Sequence, residues 1–236
     1  FLQGASGNQG PVDGFTGDRR VYRKAGSVLG SEASKVRLGI DPRERVEQLD
    51  QILKSGADLG LYTDIPIGES DDTLSVHNVT VDLPARPTIS FEEAQSIFDN
   101  ASSELITLRA SDAPTLEIQE GVSKVMRANI VLNVAKNYEM YARDGIITIN
   151  IQAFRVGDTV LVSVPVEPFA ELGAEIKKRS SAVNTVFSGF SNGHYAYLPT
   201  DIAHEEGGYE VSVTSFAPGS AGLTVDACLD AIDVIS

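Results

Sequence analysis

A chain of 236 residues with 42% hydrophobic side chains is long enough to bury a sizeable core, which excludes a disordered or fibrous protein. Its formal net charge of -14 repels phosphate and argues against nucleic acid as a partner, because no basic patch strong enough to override that field is visible. The basic stretches Arg19 to Lys24 and Lys177 to Arg179 are short, and the second falls at a helix end, where cations favour the dipole. The single cysteine, Cys228, rules out an internal disulfide and reads as a buried small hydrophobe in a terminal helix. No stretch approaches the length of a membrane span.

The chain opens on FLQGASGNQGP, which reads as the end of a buried strand and its turn: Phe1 and Leu2 want burial, and Gly4, Gly7 and Gly10 allow tight turns or close approach of a ligand. Such a start implies a fragment or processed chain, with Phe1 continuing a core strand formed by residues before it. From Glu44 to Lys54, after the Asp41-Pro42 start signal, Val46, Leu49, Ile52 and Leu53 fall at helical spacing. Leu74 to Leu83 alternates as a strand that Pro84 ends, and Ser90 with Glu93 forms a capping box for a helix through about Asn100. Between Thr115 and Arg143 a stripe of Ile118, Val122, Val125, Met126 and Ile130 predicts one or two helices, stopped by Asp144-Gly145.

Then the texture becomes β. IITINIQAFRVG alternates, Gly157-Asp158 turns, and TVLVSVPVE is an apolar strand, so a hairpin is expected. Pro168 opens the helix FAELGAEIKKR, NTVFSGFS is a further strand, SNGHYAYLPT is polar, and EEGGYEVSVTSFAPGS is a loop or strand before the last helix. With no repeat and no low-complexity linker, residues 1–236 are expected to form a single α/β domain, or a large piece of one, with a mixed sheet and packed helices.

Several residues could carry chemistry. Glu167 sits at the exit of an apolar strand, where ligand clefts form in α/β proteins, although a carboxylate before a helix is also simply stabilised by the dipole. Asn192, His194, Tyr195 and Tyr197 concentrate polar and aromatic groups that could line a pocket; His194 is either a ligand or a hydrogen-bonding loop residue, and three histidines in the chain do not make a His cluster. Tyr209, after two glycines, is either an ordinary turn tyrosine or a phenol placed to donate to a developing oxyanion. Asn78-Val-Thr and Asn100-Ala-Ser are glycosylation sequons if the protein is secreted. The sequence lacks a nucleophile elbow, a Gly-Lys-Ser/Thr phosphate loop and a His-Glu-x-x-His helix.

Taken in order, FLQGASGNQGP, VSVPVEPFAELG, NGHYAYLPT and EEGGYEV resemble the neutral/alkaline, non-lysosomal ceramidase family, best from about Ile151 to Ile235 and at the opening motif. The resemblance implies the C-terminal part of a larger catalytic domain that hydrolyses the amide of ceramide at a zinc ion held by two histidines, a glutamate and a tyrosine. It implies Glu167 as the zinc glutamate, in Pro165-Val166-Glu167 where the family has Pro-Gly-Glu, and Tyr197 as the zinc tyrosine, in Ala196-Tyr197 where the family has Gly-Tyr. Tyr209 falls at the family's spacing for the tyrosine that assists the oxyanion.

Two departures follow from the same alignment. The family's histidine ligands precede the FLQG-type motif, so both are expected outside this segment, on a preceding stretch or a second chain completing the domain. The family's serine, in a Gly-Asp-Val-Ser-Pro type turn, is replaced by Gly10 in Gly7-Asn8-Gln9-Gly10-Pro11, which leaves Gly10 as a pocket position without a hydroxyl. The leading expectation is a zinc-dependent hydrolase of an amide, with an N-acyl lipid as default substrate; a catalytically inert binding or structural protein on the same fold is the alternative. An extracellular or membrane-surface location is the expectation that goes with a lipid substrate and the sequons.

Overall fold

The computed structural model describes residues 1–14, 16–40, 45–54, 56–66 and 71–236. The chain separates into two compact units, Gly10–Asp72 and a larger one made of Phe1–Gln9 with Thr73–Ser236.

The smaller unit holds helix α1 (Arg19–Gly39), started by Asp18, whose carboxylate accepts from the Arg20 backbone N–H. It also holds an antiparallel hairpin of β1 (Arg45–Leu53) and β2 (Leu59–Pro66). The helix expected over Glu44 to Lys54 is therefore a strand over its described part; Asp41, Pro42 and Glu44 lie outside the described residues. The reason is non-local. LGLYTDIP offers a β-rich partner whose ladder satisfies the backbone, and a bulge between Leu49 and Gln51 shifts the phase of a pattern that otherwise looks helical. No described residue of this unit is buried.

Among the described residues, the buried core lies in the larger unit. Its sheet runs β3 (Leu74–Pro84), β5 (Ile146–Val156), β6 (Thr159–Ser163) and β8 (Asn184–Ser188), with the short β4 (Ala142–Arg143) paired to β5. The pairings β3–β5 and β5–β6 are antiparallel and β6–β8 is parallel, so the sheet is mixed, and with its packed helices it makes an α/β fold. Both tight turns have the chemistry their geometry demands. Asp144 and Gly145, at φ 52° and 77°, join β4 to β5, and Gly157, at φ 58°, leads the two-residue turn from β5 to β6.

Along β3 the alternation expected from the sequence is present, and it places Ser75, His77, Val79, Val81 and Leu83 on the more buried face. That face and the buried positions of β5 and β6 (Ile147, Ile149, Ile151, Val160, Val162) receive α7 (Ser220–Ile235). α7 presents Val225, Cys228, Leu229 and Ile232 at helical spacing, and fully burying such a side chain is worth about 1.5–3 kcal/mol. Cys228 is fully buried, as expected, and burial pushes its thiol up to about 12.

The helices between β3 and β4 form a hairpin of α2 (Phe91–Ala110) and α3 (Thr115–Tyr141). Ser90 caps α2 through its hydroxyl, which accepts from the Glu93 N–H at 3.1 Å, and the helix runs well beyond the expected end at Asn100. α3 is one continuous helix rather than two. Small residues at its closest approach, Gly121 and Ala128, let the two backbones come together, whereas Met126, expected on the packed stripe, is 64% exposed.

Candidate functional site

The site begins where β6 runs out. Val164 donates its N–H to the Ser188 carbonyl at 2.9 Å, Val164 and Val166 are fully buried, and the chain emerges at Glu167 with its position fixed from below. There Glu167–Pro168 forms β7, parallel to β9 (Tyr197–Leu198), with Glu167 directly opposite Tyr197. Directly opposed residues of a paired ladder project to the same face, so this register brings the carboxylate and the phenol together. The Glu167 N–H donates to the Ala196 carbonyl and the Tyr195 N–H to the Pro165 carbonyl, both at 2.9 Å.

Reaching that register takes a contorted approach: Phe190, Asn192 and Ala196 adopt φ values of 54°, 59° and 81°, a region non-glycine residues rarely enter. Strain of this kind collects at functional sites when the surrounding structure over-determines it.

The glycine-rich opening supports this strand exit from behind. Gly7 donates its N–H to the Pro168 carbonyl at 2.8 Å, and a Cβ there would stand 2.6 Å from the Glu167 carbonyl oxygen, so only glycine fits. Asn8 accepts from the Ala170 N–H at 2.9 Å and donates to Glu171, which caps α4 (Ala170–Arg179) from a distant part of the chain. Close approach at Gly7 is thus to backbone and not to a ligand. Phe1 and Leu2, expected in the core, are 98% and 55% exposed, and residues 1–9 form no strand.

Glu167, His194, Tyr197 and Tyr209 converge on a cavity of about 300 Å³. The Glu167 carboxylate, 16% exposed, meets His194 Nε2 at 2.7 Å, and the imidazole stacks on Phe190 with ring centroids 5.7 Å apart. The Tyr197 phenol is pushed up to about 12 by burial first, and then by the charge of Glu167 and its hydrogen bond to that carboxylate. The Tyr209 ring meets Tyr197 edge-on at 6.2 Å.

Tyr209 stands at the start of α6 (Tyr209–Val213), a short helix where the sequence predicted a loop or strand. Gly207 and Gly208, at φ 81° and 110°, make the reversal out of α5 (Asp201–Glu206) that begins it. α6 is held at its far end by Arg86, whose guanidinium donates to the Val211 carbonyl and, at 3.1 Å, to the Ser212 carbonyl. Five residues are too few to sustain a helix alone, so this clamp and the packing on α3 fix Tyr209.

The other sequence candidates fall elsewhere. Asn192 donates to the Gln152 side chain on β5 and does not line the cavity. Gly10 begins the smaller unit and is exposed. Asn78 on β3 and Asn100 on α2 are exposed. Sequence reasoning singled out Gly7 but not its partner, and it missed Arg86 and the opposite wall of the cavity, Asn129, Asn133 and Asn137 of α3. The amide spacing in ANIVLNVAKN, four residues apart, was the signal for the last.

Among the described residues no group of three or more His, Cys, Asp or Glu side chains could hold a metal. The donors that do meet here are one carboxylate, one imidazole and two phenols, hard or borderline ligands of the kind zinc accepts. Donors of this kind are compatible with part of a zinc shell.

No family model and no curated protein matches the chain. Among solved structures it is similar to the neutral ceramidase from Pseudomonas aeruginosa, at 23% identity and a TM-score of 0.34 over 36% of this chain and 15% of that one. A ceramidase complexed with C2 is similar at 22% identity and a TM-score of 0.33, over 37% of this chain and 14% of the other. The chain therefore spans about one seventh of the length of these proteins, and its chemistry rests on the site itself.

Proposed function

We propose that the chain carries one side of a zinc-dependent amide hydrolase site whose substrate class is a ceramide-like N-acyl lipid. The observation that carries this reading is the meeting of Glu167, Tyr197 and Tyr209 at one cavity, since these are the three residues to which the ceramidase-like motifs attach roles. Glu167 and Tyr197 would hold the metal, and two histidines from a preceding segment or a second chain would complete its shell. When bound, zinc supplies Lewis-acid polarisation and brings the pKa of a water to about 7.

This chain's own residues do the rest. His194, at 2.7 Å from Glu167, fixes the orientation of the carboxylate as outer-shell partners of metal ligands do. The Tyr197 hydroxyl keeps its proton, because burial and Glu167 oppose the phenolate, so a metal bound through it would have to displace that proton. The Tyr209 hydroxyl donates to the carbonyl oxygen of the scissile amide as negative charge gathers there. Ile130 and Val213 give the cavity an apolar side for hydrocarbon.

The test is hydrolysis of short-chain N-acyl amino alcohols by the protein with its completing segment, before and after chelation. Activity abolished by chelation, restored by zinc and lowered about a hundredfold in kcat by Tyr209→Phe supports the reading, that being the scale of losing one oxyanion donor. Absence of hydrolysis, or hydrolysis indifferent to chelation, overturns it, and the former result leaves the inert binding protein as the account.

A further inference from the structure

One wall of the cavity has no part in the proposed chemistry. Asn129, Asn133 and Asn137 are spaced four residues apart on α3, so their side chains lie along one face at steps of about 6 Å, facing Glu167, His194, Tyr197 and Tyr209 across the cavity. Among the described residues none of the three amides has a side-chain hydrogen bond to protein. Each offers two N–H donors and one carbonyl acceptor.

The chemistry α3 presents to the cavity differs from that of the rest of its surface, where Lys136 and Glu139 also carry exposed charge. Toward its start the helix presents charges, Glu117, Glu120, Lys124 and Arg127, with Lys124 paired to Glu104 of α2. At the cavity the polar residues are neutral amides. Asparagine is a poor helix former, and three in one stretch weaken the helix unless they serve contacts a better helix former would not make.

We infer that Asn129, Asn133 and Asn137 form a recognition ladder for the neutral, hydroxyl-bearing head of the substrate, and so set specificity for an N-acyl amino diol over a plain N-alkyl amide. The inference rests on the proposed hydrolase reading for the identity of the head group. Amides exchange donors and acceptors with hydroxyls and with an amide N–H, and they give no charge to attract a phosphate or carboxylate head. The Glu167 carboxylate repels an anionic head as well, and Ile130, on the same helix, leaves an apolar path for the chain attached to the head.

The experiment is calorimetric binding of two probes to the 236-residue chain, a short-chain N-acyl 2-amino-1,3-diol and the N-alkyl amide of equal length without the hydroxyls, each to wild type, Asn133→Ala and Asn133→Ala/Asn137→Ala. The ladder predicts diol affinity weakened about tenfold per amide lost, the scale of one hydrogen bond to a neutral partner, with the plain amide changed less than about twofold. Thermal melting of each variant verifies the fold, and Asn→Ala raises helix propensity, so unfolding is not the expected outcome. Equal loss for both probes, unchanged diol affinity in the double variant, or no binding of the diol to wild type overturns the ladder. Diol bound by wild type through these amides, but never hydrolysed by the completed protein with zinc, retains the ladder and sinks the hydrolase reading instead.

Discussion

The two tyrosines of the site are held by different means. Tyr197 belongs to a backbone-paired segment locked between a buried strand exit and the glycine-rich opening, whereas Tyr209 rides on a five-residue helix, 60% exposed, that a single guanidinium clamps at its far end. The strand-exit half is rigid because its position is set by main-chain bonds and steric fit, which a side-chain substitution elsewhere does not undo. The α6 half depends on one charged side chain and on its packing against α3. On the proposed reading, a ligand-holding pair needs the first kind of support, and a donor that meets substrate only during reaction tolerates the second.

The largest effect on that contrast is expected at Gly7. A methyl group there meets the Glu167 and Pro168 carbonyl oxygens, 2.6 and 3.0 Å from the Cβ position, and neither backbone atom moves without disturbing β7. Gly7→Ala should lower stability in denaturant titration by about 2–3 kcal/mol, as overpacking does. An unchanged midpoint would show that the opening segment does not support the strand exit.

Arg86→Ala comes next. Removing a charged donor from two carbonyls is worth about 1.5–3 kcal/mol, and here the loss should be local. Amide exchange should speed up across α6 while the strands β5 and β6 keep their protection. Equal acceleration in both regions would mean that α6 is part of the cooperative core after all.

The smallest effect is electrostatic. His204 on α5 has its pKa lowered, by burial first and then by the Arg86 charge, with Asp201 opposing. A group depressed on folding gives stability that is present above its unfolded value and lost as pH falls through the folded one, so acidification below about 6.5 should cost stability. NMR titration of His204 should give a midpoint below the ordinary histidine value, moving upward in Arg86→Ala. A midpoint at or above the ordinary value contradicts the burial described for it.

How much of this was legible in the sequence depended on how local the cause was. The hairpin at Gly157-Asp158, the cap at Ser90 and the alternation of β3 are written in neighbouring residues, and the structure has them as expected. The run from Val46 to Leu53 misled because its partner strand lies beyond it and a bulge disguises the alternation. Glu167, Tyr197 and Tyr209 stood out locally and took their expected roles from motif resemblance, but the meeting of Glu167 with Tyr197 depends on a parallel pairing between distant two-residue strands, which no local pattern announces. The Arg86 clamp and the role of Gly7 are likewise contacts between distant segments, and the α6 helix hides in a glycine-flanked stretch too short to carry a periodicity.

The account turns on whether Glu167 is a metal ligand. Zinc content per chain, measured on native material of wild type and of Glu167→Gln purified alike, addresses this without any assumption about substrate. Stoichiometric zinc is expected in wild type and its loss in Glu167→Gln, the fold of the variant being intact by circular dichroism. Wild type without zinc, or Glu167→Gln that retains it in full, would contradict the assignment.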